Sequence, residues 1–343
     1  MRVLVLHSDV RADAPPDEQD TLLTADAVVC ALRELGHETS VRAFVPDPAM
    51  LAHAVVQMQT ECVFNLVESV FGQGDLAGVA ASMLEKLRIP FTGASAAALL
   101  SAAHKPLTKR ILRAAGLPTP HWCEPPDWTG FGAENFYIVK AASEDASLGL
   151  DDNAVVRGLA AVKARVFESG ARHGGEWFAE EYCPGREFNL SLIEEAGAAR
   201  VLPIAEIRFD DWEPGRTRVV GYSAKWDPGS SDCINTPRAF GIEEPSPALG
   251  VELAALARAA WDILGFRGYA RVDIRLDAAE APMILEINPN PCLEPGGGFA
   301  AAALEAGMRF QDVVEKILRL ESNRMKCAAL HPPNCAKIKE SGA

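Results

Sequence analysis

The sequence predicts an α/β protein whose N-terminal part is an open parallel sheet. Two observations carry the prediction. The apolar runs at 3–6 and 62–67 are as short as strands and almost uninterrupted, the pattern of strands buried on both faces. Between them, Ala27, Ala31, Leu32 and Leu35 recur at helical spacing and end at Gly36, where a C-terminal cap belongs. Strand, helix, strand and helix in that order call for crossover connections, and these make neighbouring strands parallel.

Taken in order, the first helix is expected over 21–35 and the second strand over 41–45. After the run at 62–67 comes a helix over 76–87, closed by Ile89, Pro90, Phe91, Thr92 and Gly93. A further helix covers 105–115, and the proline-rich 118–127 reads as a connection. Residues 136–140 form a strand ending in Lys140, 155–167 a helix, and 177–182 a strand broken by Pro184 and Gly185. Alternation at 187–193 and 201–207 marks two more strands. Residues 208–247 hold many Asp, Pro, Gly and Ser; a connection that long inside a compact unit is usually functional, here a lid. Leu253, Leu256, Ala257, Ala260, Ile263 and Leu264 form a helical stripe. Residues 270–276 and 283–287 are adjacent strands across a short turn with Pro282. The last helix spans 310–320, and 321–343, without periodicity, are expected to be a loose tail.

The 343 residues, 48% hydrophobic and 23% charged, supply enough apolar side chains for two or three domain-sized cores. A formal charge of −14 argues against nucleic acid, which needs clustered Lys and Arg, and against an anionic membrane surface. No run approaches the ~18 apolar residues of a membrane span. The apolar start is too short for a signal-peptide core. Eight cysteines without a C-x-x-C pair read as reduced thiols. Together these predict a cytoplasmic protein acting on small molecules.

Several motifs could carry chemistry. Gly72-Gln73-Gly74-Asp75-Leu76-Ala77 matches a dinucleotide pattern, but the acidic residue wanted about 20 positions on is absent, which leaves a turn facing a ligand. The strongest signal is Arg271-Val272-Asp273-Ile274 followed by Leu285-Glu286-Ile287-Asn288-Pro289. Residues two apart on a strand share a face, so if the strands pair, two carboxylates, an amide and a guanidinium converge. Carboxylate and amide oxygens are the hard ligands Mg²⁺ prefers when it also holds phosphate. Lys105 opens a helix and Lys140 ends a strand, and lysine is a compact donor for phosphate oxygens. A small-residue loop at 143–149, with Ala146 and Ser147, lies between Lys140 and Glu180. In Glu180-Glu181-Tyr182-Cys183-Pro184-Gly185-Arg186-Glu187, the Pro-Gly kink exposes backbone that can read a base edge, and the final glutamate can bind ribose hydroxyls. Cys327, His331 and Cys335 are spaced like metal ligands but are assigned to the loose tail.

In this order and spacing the motifs resemble the ATP-grasp superfamily, and within it the D-alanine–D-alanine ligase-like carboxylate–amine ligases, over about residues 60–320. The resemblance implies an N-terminal α/β subdomain at 1–104, a central ATP-grasp subdomain at 105–185 and a C-terminal one at 186–320, with ATP clamped between the last two. It implies that Lys105, Lys140 and Ser147 contact ATP phosphates, that Glu180, Glu181 and Cys183 line the adenine, and that Glu187 holds the ribose. Lys225 would reach phosphate from the lid. Asp273, Glu286 and Asn288 would hold two Mg²⁺ ions, with Mn²⁺ as the alternative, and Arg271 would stabilise the developing oxyanion. Glu68, Trp226, Cys292 and Gly297 would face the substrates. A homodimer is one assembly that the resemblance implies.

Departures from the family's pattern concern the acceptor half. Trp226 stands where the D-alanine enzymes carry a tyrosine after the lid lysine, and Ala146 interrupts their glycine-serine-serine loop. Their turn and substrate-binding serine are replaced by Asn288-Pro289-Asn290-Pro291-Cys292 and Gly296-Gly297-Gly298, and their N-terminal glutamate motif is absent, with Glu18 nearby. The expected reaction is ADP-forming ligation of a carboxylate to an amine through an acylphosphate, in a changed acceptor pocket. The alternatives are D-alanine–D-alanine ligation itself and a non-catalytic nucleotide-binding relative; the four filled positions at 271, 273, 286 and 288 speak for an enzyme.

Overall fold

The structure, a computed structural model, describes residues 1–143, 147–242 and 244–330. It opens with β1 (Arg2–His7), α1 (Pro16–Glu34), β2 (Glu38–Ala43), α2 (Pro48–Gln57), β3 (Cys62–Leu66), α3 (Gly78–Lys86) and α4 (Ala96–Ala102). The strands form the expected parallel sheet in the order β2-β1-β3. Every residue of β3 and the middle four of β1 are buried, as parallel strands covered on both faces must be. The closing segment at 89–93 adds only a parallel bridge from Phe91 to Val63.

Next come α5 (Lys105–Ala114), β4 (Trp122–Cys123), β5 (Phe136–Ala141), β6 (Val155–Arg157), α6 (Gly158–His173) and β7 (Trp177–Glu181). Their strands make an antiparallel sheet in the order β4-β7-β5-β6. The helix expected from 155 begins only at 158, because 155–157 pair with β5. The change occurs at Gly158, whose φ of +80° and 2.5 Å approach to the Ala133 carbonyl at the Cβ position suit no other residue.

The rest comprises β8 (Glu187–Glu195), β9 (Ala198–Val201), β10 (Ala205–Ile207), α7 (Tyr222–Trp226), α8 (Ser231–Ile234), β11 (Arg238–Ala239), α9 (Pro247–Ile263), β12 (Tyr269–Leu276), β13 (Pro282–Asn288), α10 (Gly298–Glu305) and α11 (Phe310–Leu330). A third, antiparallel sheet runs β11-β10-β8-β12-β13, with β9 on β8. The strand expected over 201–207 is thus two short ones. The expected lid contains α7, α8 and β11. It is pinned by Arg216, which donates to both carboxylate oxygens of Asp232 at 2.6 and 2.7 Å and to Asp152 at 2.8 Å.

The loose tail expected from 321 is a correction. α11 continues through Leu330, with Glu321 and Arg324 ion-paired at 2.9 Å and Arg324 also paired to Glu194. Residues 331–343, including His331 and Cys335, lie outside the described residues, as does Ala146.

One core joins α3, α4, α5 and α9 to β8, β12 and β13. A second brings α10 and α11 back onto α1, β1 and β3. The third sheet is thereby fixed against the first, and a common cleft is lined by one face of the third sheet, by β5 of the second and by the segments that follow β1 and β3. Among the described residues no helix is long and apolar enough to cross a membrane.

Candidate active site

The cleft has a volume of about 1610 Å³. That exceeds the ~300–1,000 Å³ of a single-ligand pocket and leaves room for a nucleotide and a second molecule. Glu68, Lys105, Lys140, Ser147, Glu187, Lys225, Trp226, Arg271, Asp273, Glu286, Asn288, Cys292 and Gly297 all line it. Gly72, Gln73 and Gly74 line it too, so that turn does face the ligand space. Glu180, Glu181 and Cys183 do not.

Strand register builds the centre of the site. In the β12–β13 ladder Asp273 lies opposite Glu286 and Arg271 opposite Asn288. In the β12–β8 ladder Asp273 lies opposite Asn189 and Arg275 opposite Glu187. The period of two in each strand therefore places all of these side chains on one sheet face. Asp273 accepts from Arg271 Nε and Nη2 at 2.8 Å each and from Asn189 Nδ2 at 2.9 Å. Burial pushes its carboxyl above the ordinary carboxylate range in spite of Arg271. Glu286 shifts the other way. Burial would raise it, but Lys105, Lys225, Lys140 and Arg271 together hold it well below the usual range. These cations come from α5, α7, β5 and β12, so four separate elements deliver positive charge to one carboxylate. Lys105 Nζ and Arg271 Nη2 each stand 3.9 Å from it.

The donor set suits a hard cation. Among the described residues no three His, Cys, Asp or Glu side chains are grouped so as to hold a metal ion by themselves. The set is two carboxylates and the Asn288 amide oxygen, which already accepts from the Asn290 N–H at 2.9 Å and keeps a second lone pair. Asn189 was not singled out in the sequence. Its position two residues after Glu187, on the same strand face, is the signal that could have found it.

Glu180 proves to be an internal residue. It is 0% exposed, and its two oxygens lie 2.5 Å from Lys109 Nζ and 2.6 Å from Lys140 Nζ. Burial would raise its pKa; Lys109 and then Lys140 outweigh this and hold it low. Lys109, which also donates to Thr119 Oγ1 at 2.9 Å, is itself 1% exposed and was missed because an i+4 repeat from Lys105 reads as a solvated helix face. The Cys183 thiol is pushed by burial up to about 12 and stays protonated. The Glu181 N–H is taken by the His121 carbonyl at 2.8 Å. The Glu187 carboxylate stands 3.5 Å from Arg275 at the cleft wall.

The lid closes on two sides. Ser147 Oγ donates to the Val220 carbonyl at 2.9 Å, and Tyr222 Oη donates to Asp17 on α1 at 2.7 Å. Burial, then Asp17, pushes the Tyr222 phenol up to about 12, so it remains a donor at neutral pH. Cys292 Sγ donates to Asp20 at 2.8 Å.

A family model described as the D-ala D-ala ligase C-terminus matches residues 134–319, the stretch holding every residue of the carboxylate, amide and guanidinium centre. The chain belongs to the D-alanine–D-alanine ligase family. It is an ATP-grasp enzyme of the ligases that form carbon–nitrogen bonds. A D-alanine–D-alanine ligase of Synechococcus sp. (strain JA-2-3B'a(2-13)) is 30% identical over 314 residues, covering 88% of this chain and 89% of its own. That of Desulforudis audaxviator is 31% identical over 316 residues, covering 90% and 95%. The crystal structure of the Bacillus anthracis D-alanine–D-alanine ligase complexed with ATP shares the fold, with a TM-score of 0.72 over 95% of this chain and 99% of that one, at 19% identity.

Proposed function

We propose that this chain is an ADP-forming carboxylate–amine ligase that works through an acylphosphate and takes an acceptor other than D-alanine. The observation that carries the reading is the meeting of Lys105, Lys140, Lys225 and Arg271 around Glu286, beside Asp273 and Asn288. Such a centre neutralises a polyphosphate. Phosphoryl transfer asks little more of a protein than positioning and charge stabilisation.

In the first step the substrate carboxylate attacks the γ-phosphorus and ADP leaves. Lys105, Lys140 and Lys225 hold the phosphate oxygens, and Glu187 holds the ribose. Asp273, Glu286 and Asn288 would hold Mg²⁺, which supplies Lewis-acid neutralisation of the charge on the transferring group. Arg271 must then share its guanidinium between Asp273 and the substrate. In the second step the amine attacks the acyl carbon, phosphate departs and the nitrogen loses its proton. Arg271, a cleft-lining guanidinium beside Asp273 and Glu286, is assigned as the donor to the tetrahedral oxygen. The lid, anchored at Ser147 and Tyr222, keeps water from the acylphosphate.

The changed acceptor is supported by Trp226, Cys292 and Gly297 at cleft-lining positions. The names of the relatives favour a second reading, D-alanyl-D-alanine synthesis itself. Trapping tests the acylphosphate common to both. With ATP, Mg²⁺, a carboxylate donor and hydroxylamine, a hydroxamate should form at a rate matching ADP. ADP release without hydroxamate would exclude the intermediate.

A further inference from the structure

Resting on the ligase reading, we propose that Arg238 binds a free carboxylate on the amine substrate, which makes that substrate an amino acid or a peptide with a free C-terminus and not a simple amine. Arg238 sits on β11, opposite Ile207 of β10, and lines the cleft beside Arg271. Its Nη1 donates to the neutral Gly296 carbonyl at 3.1 Å. Among the described residues no carboxylate comes within 4.0 Å of its guanidinium, whereas Arg271 and Arg275 in the same cleft each have one. Glu294 attracts it from farther off, and Arg271 repels it. A guanidinium does not give up its proton, so a cation placed this way in a cleft is satisfied by an incoming anion, and its planar fork matches a carboxylate.

The backbone around Arg238 explains why it is needed. The resemblance assigns carboxylate recognition to a turn and serine that are replaced in this chain by Cys292 and the run Gly296-Gly297-Gly298. A Cβ on Gly297 would come within 2.9 Å of the Glu294 carbonyl, so a serine there would force the turn apart. A side chain at Gly297 is therefore disfavoured by packing. In its place the Arg238 Nε lies 3.7 Å from the Cβ position of Gly298, directly over the turn that opens α10. Asp17, Glu18 and Asp20 of α1 also line the cleft and repel a carboxylate, which leaves Arg238 and Arg271 as the cations to receive the anionic end.

The test compares each standard amino acid and D-alanine with its own carboxamide as the amine, by kcat/KM for ADP-forming amide synthesis. For the amino acid that supports turnover, the wild type should prefer the free acid by at least about 100-fold, because a site built around a polar group rejects the analogue lacking it. In Arg238→Met that preference should fall below about 10-fold, mainly through the KM for the amine, while Arg238→Lys keeps part of it. The KM for ATP should not follow the KM for the amine. An active wild type that takes acid and amide equally, or an Arg238→Met that keeps the full preference, overturns the assignment alone. A wild type showing no amine-dependent ADP formation with any of these compounds overturns the ligase reading and this proposal with it.

Discussion

Replacing Glu180 by Gln removes the carboxylate that separates two ammonium groups packed at 2.5 and 2.6 Å. Lys109 and Glu180 are 1% and 0% exposed, so water cannot replace the lost charge. Breaking a buried pair by deleting one partner costs about 3–5 kcal/mol, and here two cations are left facing each other, so the upper part of that range is expected. Lys109→Met is gentler. It leaves the Glu180–Lys140 pair intact and electrically balanced, and should cost about 1–3 kcal/mol, in the range of a lost buried polar partner. The double variant leaves only Lys140, which can turn its ammonium into the cleft, so it should be more stable than the sum of the two losses requires. Urea denaturation followed by tryptophan fluorescence measures all three. A Glu180→Gln loss below about 1 kcal/mol, or a Lys109→Met loss larger than that of Glu180→Gln, would refute the reasoning.

Further outcomes follow from the same geometry. Glu286→Gln removes the anion on which four cations converge, and should abolish turnover while shifting the unfolding midpoint far less than Glu180→Gln does; retained turnover speaks against its proposed role. Tyr222→Phe deletes the lid's bond to Asp17, so ADP should form in excess of amide as water reaches the acylphosphate, a ratio read by paired ADP and product assays. Strict one-to-one stoichiometry in that variant would show that the bond is dispensable. The Glu180 carboxyl is held below its ordinary value of 4.5, so its contribution to stability is complete above that pH and is lost as the pH falls below it. Glu180→Gln should therefore flatten the acid limb of a stability–pH curve, and an unchanged limb would assign the acid loss elsewhere.

The centre of the site was legible because the chemistry sits on strands. Arg271 and Asp273, like Glu286 and Asn288, are two apart, and pairing of adjacent strands makes them converge whatever the surrounding sequence. The register of Asp273 opposite Glu286 came out accordingly. Lys109, Asn189 and Arg238 were not legible. Each takes its role from a partner distant in sequence: Glu180 for Lys109, Asp273 for Asn189, the turn at Gly296 for Arg238. Among the elements, α2 escaped notice because the exposed Met50 and Val56 blur the stripe of Leu51, Val55 and Met58, although Asp47 followed by Pro48 is a helix start. The alanine-rich α4, capped by Ser95, lacked contrast for the same reason. The last helix was cut short at 320 because Glu321, Ser322, Asn323 and Arg324 interrupt its apolar spacing; in the structure Glu321 and Arg324 are ion-paired there.

The most direct test is phosphate release from ATP and Mg²⁺ by the whole chain against pairs of amino acids and small carboxylates, with the products identified. The account predicts amine-dependent release with one ADP per amide bond for some pair, and release near background with D-alanine as sole substrate. Robust D-alanine-dependent release with D-alanyl-D-alanine as product would contradict the changed acceptor, and release without any amide product would contradict the ligase.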